Sequence, residues 1–224
     1  MATESQGREL RRVVEILDAE YGRPVLSRRY PPLDELVFTV LSQNTADVNT
    51  ERSFAALKAR FPRWESVRDA DVAQIEEAIA LGGLAHTKAP RIKRILEVLS
   101  PTGGAPELRV LDGLSDEEAG RFLTSLPGVG PKTAACVLLF SLGRPVMPVD
   151  THVYRVARRL ALIPRAVSAE RAHPRLTEMV GEDPRQLYAT HVALVRHGRR
   201  VCRAQRPRCE ACPLAGLCPS AGVT

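Results

Sequence analysis

Apolar residues Leu10, Val13, Val14 and Leu17 recur at helical spacing, and Leu33, Leu36, Val37, Val40 and Leu41 repeat the pattern in the next segment. Each set gathers its apolar side chains into one stripe, so both segments are expected to be amphipathic helices. The same spacing predicts helices at about 46–60, 70–80 and 87–99. The last of these places Ile92, Ile95, Leu96 and Leu99 on one side and its basic residues on the other. No stretch alternates with a period of two, so no strand is predicted and the fold class is expected to be all-α. Pro101-Thr-Gly-Gly-Ala-Pro106 reads as a loop, because proline lacks the backbone donor and glycine raises the entropic cost of ordering. It is too short to link two domains.

Ser115 stands three residues before Glu118, the spacing at which a hydroxyl and a returning carboxylate each satisfy an exposed amide at a helix start. A helix is therefore predicted over about 116–125. Leu126-Pro-Gly-Val-Gly130 forces a tight turn, Pro131 suits a first helical position, and a second helix is predicted to about Leu142. Helices near 151–161 and 169–180 follow, then one from Pro184 that is capped by Asp183 and ends at Gly198. The chain shows no internal repeat and no low-complexity tract.

Composition narrows the picture. The 224 residues are 44% hydrophobic but only 4% aromatic, which fits an aliphatic helical interior. The formal charge of +6 makes a polyanion the leading partner. No apolar run reaches the length of a membrane span, and Met1 to Arg12 is polar, so a cytoplasmic protein with no membrane partner is expected. Four of the five cysteines fall between Cys202 and Cys218, and without an export signal such crowding reads as metal binding rather than disulfides.

Gly128 and Gly130 let the backbone of the 126–130 turn approach another group closely. The helix that follows points unpaired amides outward, a setting that suits one phosphate, although glycine and proline also favour ordinary helix–helix turns. Lys132 sits in the first turn of that helix, where the dipole opposes a cation and makes the neutral amine easier to reach. A solvated surface lysine would be the default reading if the chain offered no partner. The partner is Asp150, in Val149-Asp-Thr-His-Val153, just after Pro145 and Pro148 break the preceding helix. Asp150 also reads as a helix cap, and one carboxylate can cap a helix and still face a reacting group. His152 and Tyr154 share the segment, and a histidine there is packed or contacts phosphate more often than it acts in catalysis.

Cys202-x6-Cys209-x2-Cys212-x5-Cys218 closes a loop too small to be stable without something at its centre. Zinc and a [4Fe–4S] cluster both accept four cysteines, and the residues alone leave the two open. Arg196, Arg199, Arg200, Arg203, Arg206 and Arg208 accompany them with no acidic residue between 196 and 208, which makes a phosphate-contacting surface. Cys136, within Ala134-Ala-Cys-Val-Leu-Leu139, reads as a buried small hydrophobe rather than a fifth ligand.

Leu126-Pro-Gly-Val-Gly-Pro-Lys-Thr-Ala134 followed by Val149-Asp-Thr-His-Val-Tyr-Arg155 resembles the helix-hairpin-helix and catalytic-aspartate segments of the endonuclease III family of DNA glycosylases. The cysteine spacing, His197-Gly-Arg-Arg200 and Arg206-Pro-Arg208 are similar to that family's cluster region, so the resemblance extends from about residue 8 to the last cysteine. It implies a [4Fe–4S] cluster on Cys202, Cys209, Cys212 and Cys218. It also implies a monomer acting on double-stranded DNA that contains damaged bases or abasic sites, associated with the nucleoid in a bacterium or archaeon. Residues 25–144 would form a six-helix barrel containing the helix-hairpin-helix at about 116–142. Residues 1–24 and 145–224 would form the iron–sulfur cluster domain, with the active cleft between the two. Lys132 would be the nucleophile and Asp150 the catalytic carboxylate of a bifunctional glycosylase and AP lyase for oxidised pyrimidines. Gly128, Gly130, His152, Arg199, Arg200, Arg206 and Arg208 would contact DNA.

The sequence departs from the family pattern in two places. Leu41-Ser-Gln-Asn-Thr-Ala-Asp47 matches the segment that inserts a polar side chain where the base has left, but Asn44 stands where glutamine is frequent, with the adjacent Gln43 as the alternative under a shift of one residue. Gly82-Gly-Leu-Ala85 matches the second inserting loop and offers only Leu84 as an apolar wedge. The loop at 103–115 is also longer than in the shortest members. An altered substrate range is expected, with the chemistry retained. Two other readings are a mismatch-specific glycosylase, whose members generally lack a lysine at position 132, and a damage- or abasic-site-binding protein with weak or no catalysis.

Overall fold

The computed structural model describes residues 2–27, 30–100 and 102–222. Every regular element among them is helical. In chain order these are α1 (Ala2–Tyr21), α2 (Pro32–Ser42), α3 (Asp47–Arg60), α4 (Trp64–Asp69), α5 (Val72–Ile79), α6 (Ala85–Val98), α7 (Asp116–Ser125), α8 (Pro131–Cys136), α9 (Thr151–Arg159), α10 (Ala169–Val180) and α11 (Pro184–Arg200). Short 3-10 turns add Ala80–Gly82, Arg109–Gly113, Cys209–Ala211 and Ala215–Leu217. Residues 102–106 run without helix as the loop signals require, and Pro101 lies outside the described residues. No helix among the described residues is long and apolar enough to cross a membrane.

The chain divides into two compact units, one continuous (Arg28–Leu142) and one split (Met1–Ser27 with Gly143–Thr224). In the continuous unit α2 packs on α3 and α8, α3 on α5, and α5 on α6. Leu36, Val37, Val40 and Leu41 of α2 are all fully buried, as are Ile92, Ile95 and Leu96 of α6. Each such side chain contributes about 1.5–3 kcal/mol of burial free energy, which offsets the cost of ordering these short helices. Tyr30, Phe38, Phe54 and Trp64 form an aromatic group with centroid separations of 5.0 to 6.3 Å. The Trp64 indole donates to Asp34 Oδ1 at 2.8 Å, which fixes α4 against the start of α2.

The capping signals at α7 are realised. Ser115 Oγ accepts from the Glu118 amide at 3.3 Å, while the Ser115 amide donates to Glu118 Oε2 at 2.9 Å. The helix expected from Pro131 to Leu142 is α-helical only through Cys136 and widens to a π turn over Val137–Ser141, where Ser141 Oγ donates back to Val137 O at 2.6 Å.

In the split unit α1 packs on α10 and α11, and α11 on α9. The stripe Leu10, Val13, Val14 and Leu17 is buried in these contacts. Asp183 caps α11 by accepting from the Arg185 amide at 2.9 Å. That helix does not end at Gly198 but continues to Arg200. The glycine is there for packing, since a Cβ at 198 would lie 2.9 Å from the Cβ of His152 on α9.

Candidate functional site

The tight turn of the helix-hairpin-helix depends on one backbone angle and one side chain. Gly128 has φ +70°, the left-handed region that side chains disfavour, and a Cβ on it would overlap Arg91 Nε and Cδ. Arg91 lies across this glycine and donates to Gln43 Oε1 at 2.6 Å, while Gln43 Nε2 donates to Gly128 O and Thr133 Oγ1, both at 3.4 Å. Gly130 precedes α8 in extended conformation with open space where a side chain would stand. Lys132 follows in the first turn, half-buried and without a hydrogen bond or ion pair among the described residues.

Asp150 belongs to the split unit and is the N-cap of α9. Its Oδ1 accepts from the amides of His152 at 2.9 Å and Val153 at 2.8 Å, which pins the carboxylate. Its other oxygen has no partner among the described residues, so the cap leaves half of the carboxylate uncommitted. His152 Nδ1 lies 3.0 Å from Arg155 Nη2. Burial lowers the His152 pKa despite the pull of Asp150, so the neutral ring accepts from the guanidinium.

The two segments matched to the family's inserting loops share an unusual backbone. Asn44 and Leu84 both have φ +53°, and they are two of the four non-glycine residues with positive φ among those described. Arg206, of the basic run after α11, is another, at +51°. Such conformations cost on the order of 1–3 kcal/mol each and persist where surrounding contacts impose them. Asn44 is exposed, and Leu84 is 45% exposed beside Leu81 at 61%, so two apolar side chains rather than one project from this turn.

The four cysteines of the C-terminal motif are all free thiols and border one cavity, lined also by Val156, Leu160, His197 and Leu214. Among the described residues no three side chains converge as a single metal ion requires; the thiols instead stand around this shared space. Burial raises the pKa of Cys212 and of Cys218, and repulsion from the neighbouring cysteines raises both further. A set of soft donors that resist ionising together fits a centre that supplies positive charge. Arg159 Nη1 donates to Cys202 Sγ at 3.3 Å and to Arg203 O at 2.6 Å, while Arg155 Nε holds Cys202 O at 2.9 Å. His197, 2% exposed, lies 3.1 Å from Tyr21 Oη and 3.7 Å from Cys212 Sγ, and burial lowers its pKa to about 4. Cys136 is buried in the continuous unit and is no part of this set.

The arginines divide by partner. Arg196 holds the carbonyls of Tyr21 and Gly22 at the end of α1 and is a structural residue. Arg200 lies 5.2 Å from the Tyr21 ring centroid. Arg199, Arg206 and Arg208 are exposed. A basic cavity that the cysteine-region run did not reveal lies along α9, where Arg155, Arg158, Arg159 and Arg165 line one recess with Tyr154 and Ser220. No acidic residue occurs between 151 and 169.

Comparison with known proteins gives this geometry a family. Residues 37–190 match the HhH-GPD superfamily base excision DNA repair protein, and residues 202–218 match the iron–sulfur binding domain of endonuclease III. The chain is 34% identical over 188 residues to endonuclease III of Thermotoga maritima, covering 84% of this chain and 82% of that one. A candidate DNA glycosylase of Arabidopsis thaliana is 39% identical over 195 residues, and the chain spans 66% of its length. The DNA glycosylase/AP lyase ROS1 of the same plant is 32% identical over 170 residues, only 12% of that protein. A non-covalent endonuclease III–DNA complex superposes with a TM-score of 0.80 at 25% identity, covering 96% of both chains. With a superfamily pattern across more than half its length and the cysteine domain complete, the chain belongs to the endonuclease III family of DNA glycosylases, DNA-binding enzymes of base excision repair that carry a [4Fe–4S] cluster.

Proposed function

We infer that this enzyme is a bifunctional glycosylase and AP lyase that removes oxidised pyrimidines from duplex DNA. The observation that carries the reading is Lys132, a half-buried amine in the first turn after the hairpin with no ion pair among the described residues. In this reading its neutral Nζ attacks C1′ of the extruded nucleotide, and the C1′–N bond breaks with its electron pair going to the base, which takes up a proton. The C1′–O4′ bond then breaks with O4′ taking up a proton, and the nitrogen gives up one proton to leave a protonated Schiff base. Loss of a C2′ proton then expels the 3′ phosphate. The Asp150 carboxylate, held by two amides and with one oxygen uncommitted, receives the ammonium proton and steadies positive charge on the sugar.

The endonuclease III family also includes a trapped covalent endonuclease III–DNA intermediate among the superposing structures, and ROS1 carries the lyase activity in its name. The same reading makes the continuous unit the six-helix barrel and the split unit the cluster domain of a monomer. It assigns the hairpin glycines 128 and 130, His152 and the exposed Arg199, Arg200, Arg206 and Arg208 to DNA contact. The four cysteines ligate the cluster, whose part is to hold that arginine-bearing segment in one shape. Asn44 and the Gly82–Leu84 turn, which depart from the family pattern, set the lesion range.

Borohydride trapping on a thymine-glycol duplex tests the reading. Wild type leaves a covalent adduct, Lys132→Ala leaves none, and Asp150→Asn keeps the α9 cap and the melting temperature while slowing excision by about a hundredfold or more. Excision without an adduct would favour the mismatch-type, monofunctional reading. Binding without either product would leave a damage-recognition protein.

A further inference from the structure

We propose that Lys88 is a positioning residue for base extrusion, clamping the end of α2 to the 80–82 turn so that Asn44 and Leu84 are held for insertion together. This rests on the reading above only in assigning Asn44 and Leu84 to the space the base leaves.

The clamp lies wholly within the continuous unit. Lys88 is 2% exposed, and its ammonium donates to Leu41 O at 2.6 Å, Thr45 Oγ1 at 2.5 Å and Gly82 O at 3.2 Å. An ammonium has three donors and here all three are used. Leu41 O belongs to the last turn of α2, where carbonyls lack amide partners and the dipole favours a cation. Gly82 O ends the Ala80–Gly82 turn. One buried cation therefore terminates both elements at once. Thr45 Oγ1 adds a direct link, donating to Gly82 O at 2.6 Å.

Immediately beyond the two clamped carbonyls the chain enters its strained positions, Asn44 three residues after Leu41 and Leu84 two residues after Gly82. Left-handed asparagine and leucine would relax if their segments were free. Among the described residues no carboxylate is hydrogen-bonded to Lys88; burial and then the Arg91 charge lower its pKa. Burying a cation among neutral oxygens is expensive, and a methionine of similar length would fill the space more cheaply. The lysine is accounted for by what its three bonds connect. The turn packs closely on α3 at this glycine, where a Cβ would stand 2.7 Å from Ser53 Oγ.

The test compares Lys88→Met, Lys88→Arg and the milder Thr45→Val, each checked for wild-type helicity and cluster absorbance. The first readout needs no chemistry: the fluorescence of 2-aminopurine placed opposite a tetrahydrofuran abasic analogue, read at saturating protein. Asn44→Ala and Leu84→Ala calibrate it. Lys88→Met and Thr45→Val are expected to lose most of the wild-type change, with Lys88→Arg recovering part. The second readout is single-turnover excision of thymine glycol against cleavage of a preformed abasic site. The excision rate should fall about tenfold more than the abasic-site rate in Lys88→Met, since only the former must unstack a base. If Asn44→Ala and Leu84→Ala abolish the fluorescence change while folded Lys88→Met keeps it, the proposal is overturned. Should Lys88→Met fail to fold, a wild-type signal and rate ratio in Thr45→Val overturn it equally. If the two calibrating variants leave the fluorescence unchanged, the insertion assignment fails and the proposal falls with it. A wild type that excises nothing but keeps the fluorescence change sinks the glycosylase reading alone.

Discussion

Lys88 in the continuous unit and the four cysteines in the split unit pose the same physical problem, polar groups crowded away from water, and the chain treats them differently. Around Lys88 every donor meets an oxygen of the same unit. Around the cavity of the cysteines Arg159 Nη1 donates to Cys202 Sγ, His197 Nε2 lies 3.7 Å from Cys212 Sγ and Cys218 Sγ meets Arg159 O, while burial and then mutual repulsion raise the pKa of Cys212 and Cys218. One polar interior is complete as polypeptide. The other is completed by a group from outside, so the two units should respond in opposite ways to loss of metal and to damage within the chain.

The largest expected effect follows from that contrast. Chelating the iron, or Cys209→Ser, should abolish visible absorbance and cost on the order of 10 kcal/mol of binding-coupled stability, as for other structural metal centres. Hydrogen exchange should then show protection lost in α9 and α11 but kept in α2 and α6. Equal loss in both units would break the comparison. A change inside the complete unit should do the reverse. Leu36→Ala, at a fully buried site, should cost about 2–5 kcal/mol in denaturant unfolding with the cluster spectrum intact. A smaller effect is expected from Ser115→Ala, which removes one half of a reciprocal cap and should cost about 1 kcal/mol, read as lowered protection at the start of α7.

The smallest effect appears only in acid. His173 of α10 is buried, its Nδ1 lies 3.0 Å from Met147 O, and burial holds its pKa below the ordinary value of about 6.5. A base with a folded-state pKa below its unfolded one contributes stability that is fully present above the unfolded value and is lost as pH falls through the window between them. Melting temperature should therefore decline below about pH 6.5, and His173→Gln should flatten that decline while changing little at pH 8. A variant whose profile parallels wild type would remove His173 from the account.

Most helices were readable because their apolar residues trace one stripe across several turns. α4 was not, since its six residues bury a single aliphatic side chain, Val67, and make no period. The π turn after Cys136 carries no sequence signal, and Gly198 read as a terminator because the packing against His152 that requires it is tertiary. The helix positions of Lys132 and Asp150, in the first turn of α8 and at the N-cap of α9, were legible because local turn chemistry surrounds each. Lys88 and Arg91 were missed because their partners, Leu41, Gln43 and Thr45, lie more than forty residues away. The expectation that the basic residues of α6 stand opposite its apolar stripe fails at Lys88, which shares the stripe with Ile92, Ile95 and Leu96 and is buried, a place where a cation needs something to bind.

The pairing of α1 with α11 has a consequence for biosynthesis. Leu10, Val13 and Leu17 leave the ribosome long before Leu187 and Leu194 are made. At about 5–20 residues per second the first helix waits roughly ten seconds or more for its partner. The middle of the chain can fold in that interval. The nascent amino-terminal stripe meanwhile stays sticky, and a chaperone that shields it during translation would raise the yield of finished enzyme.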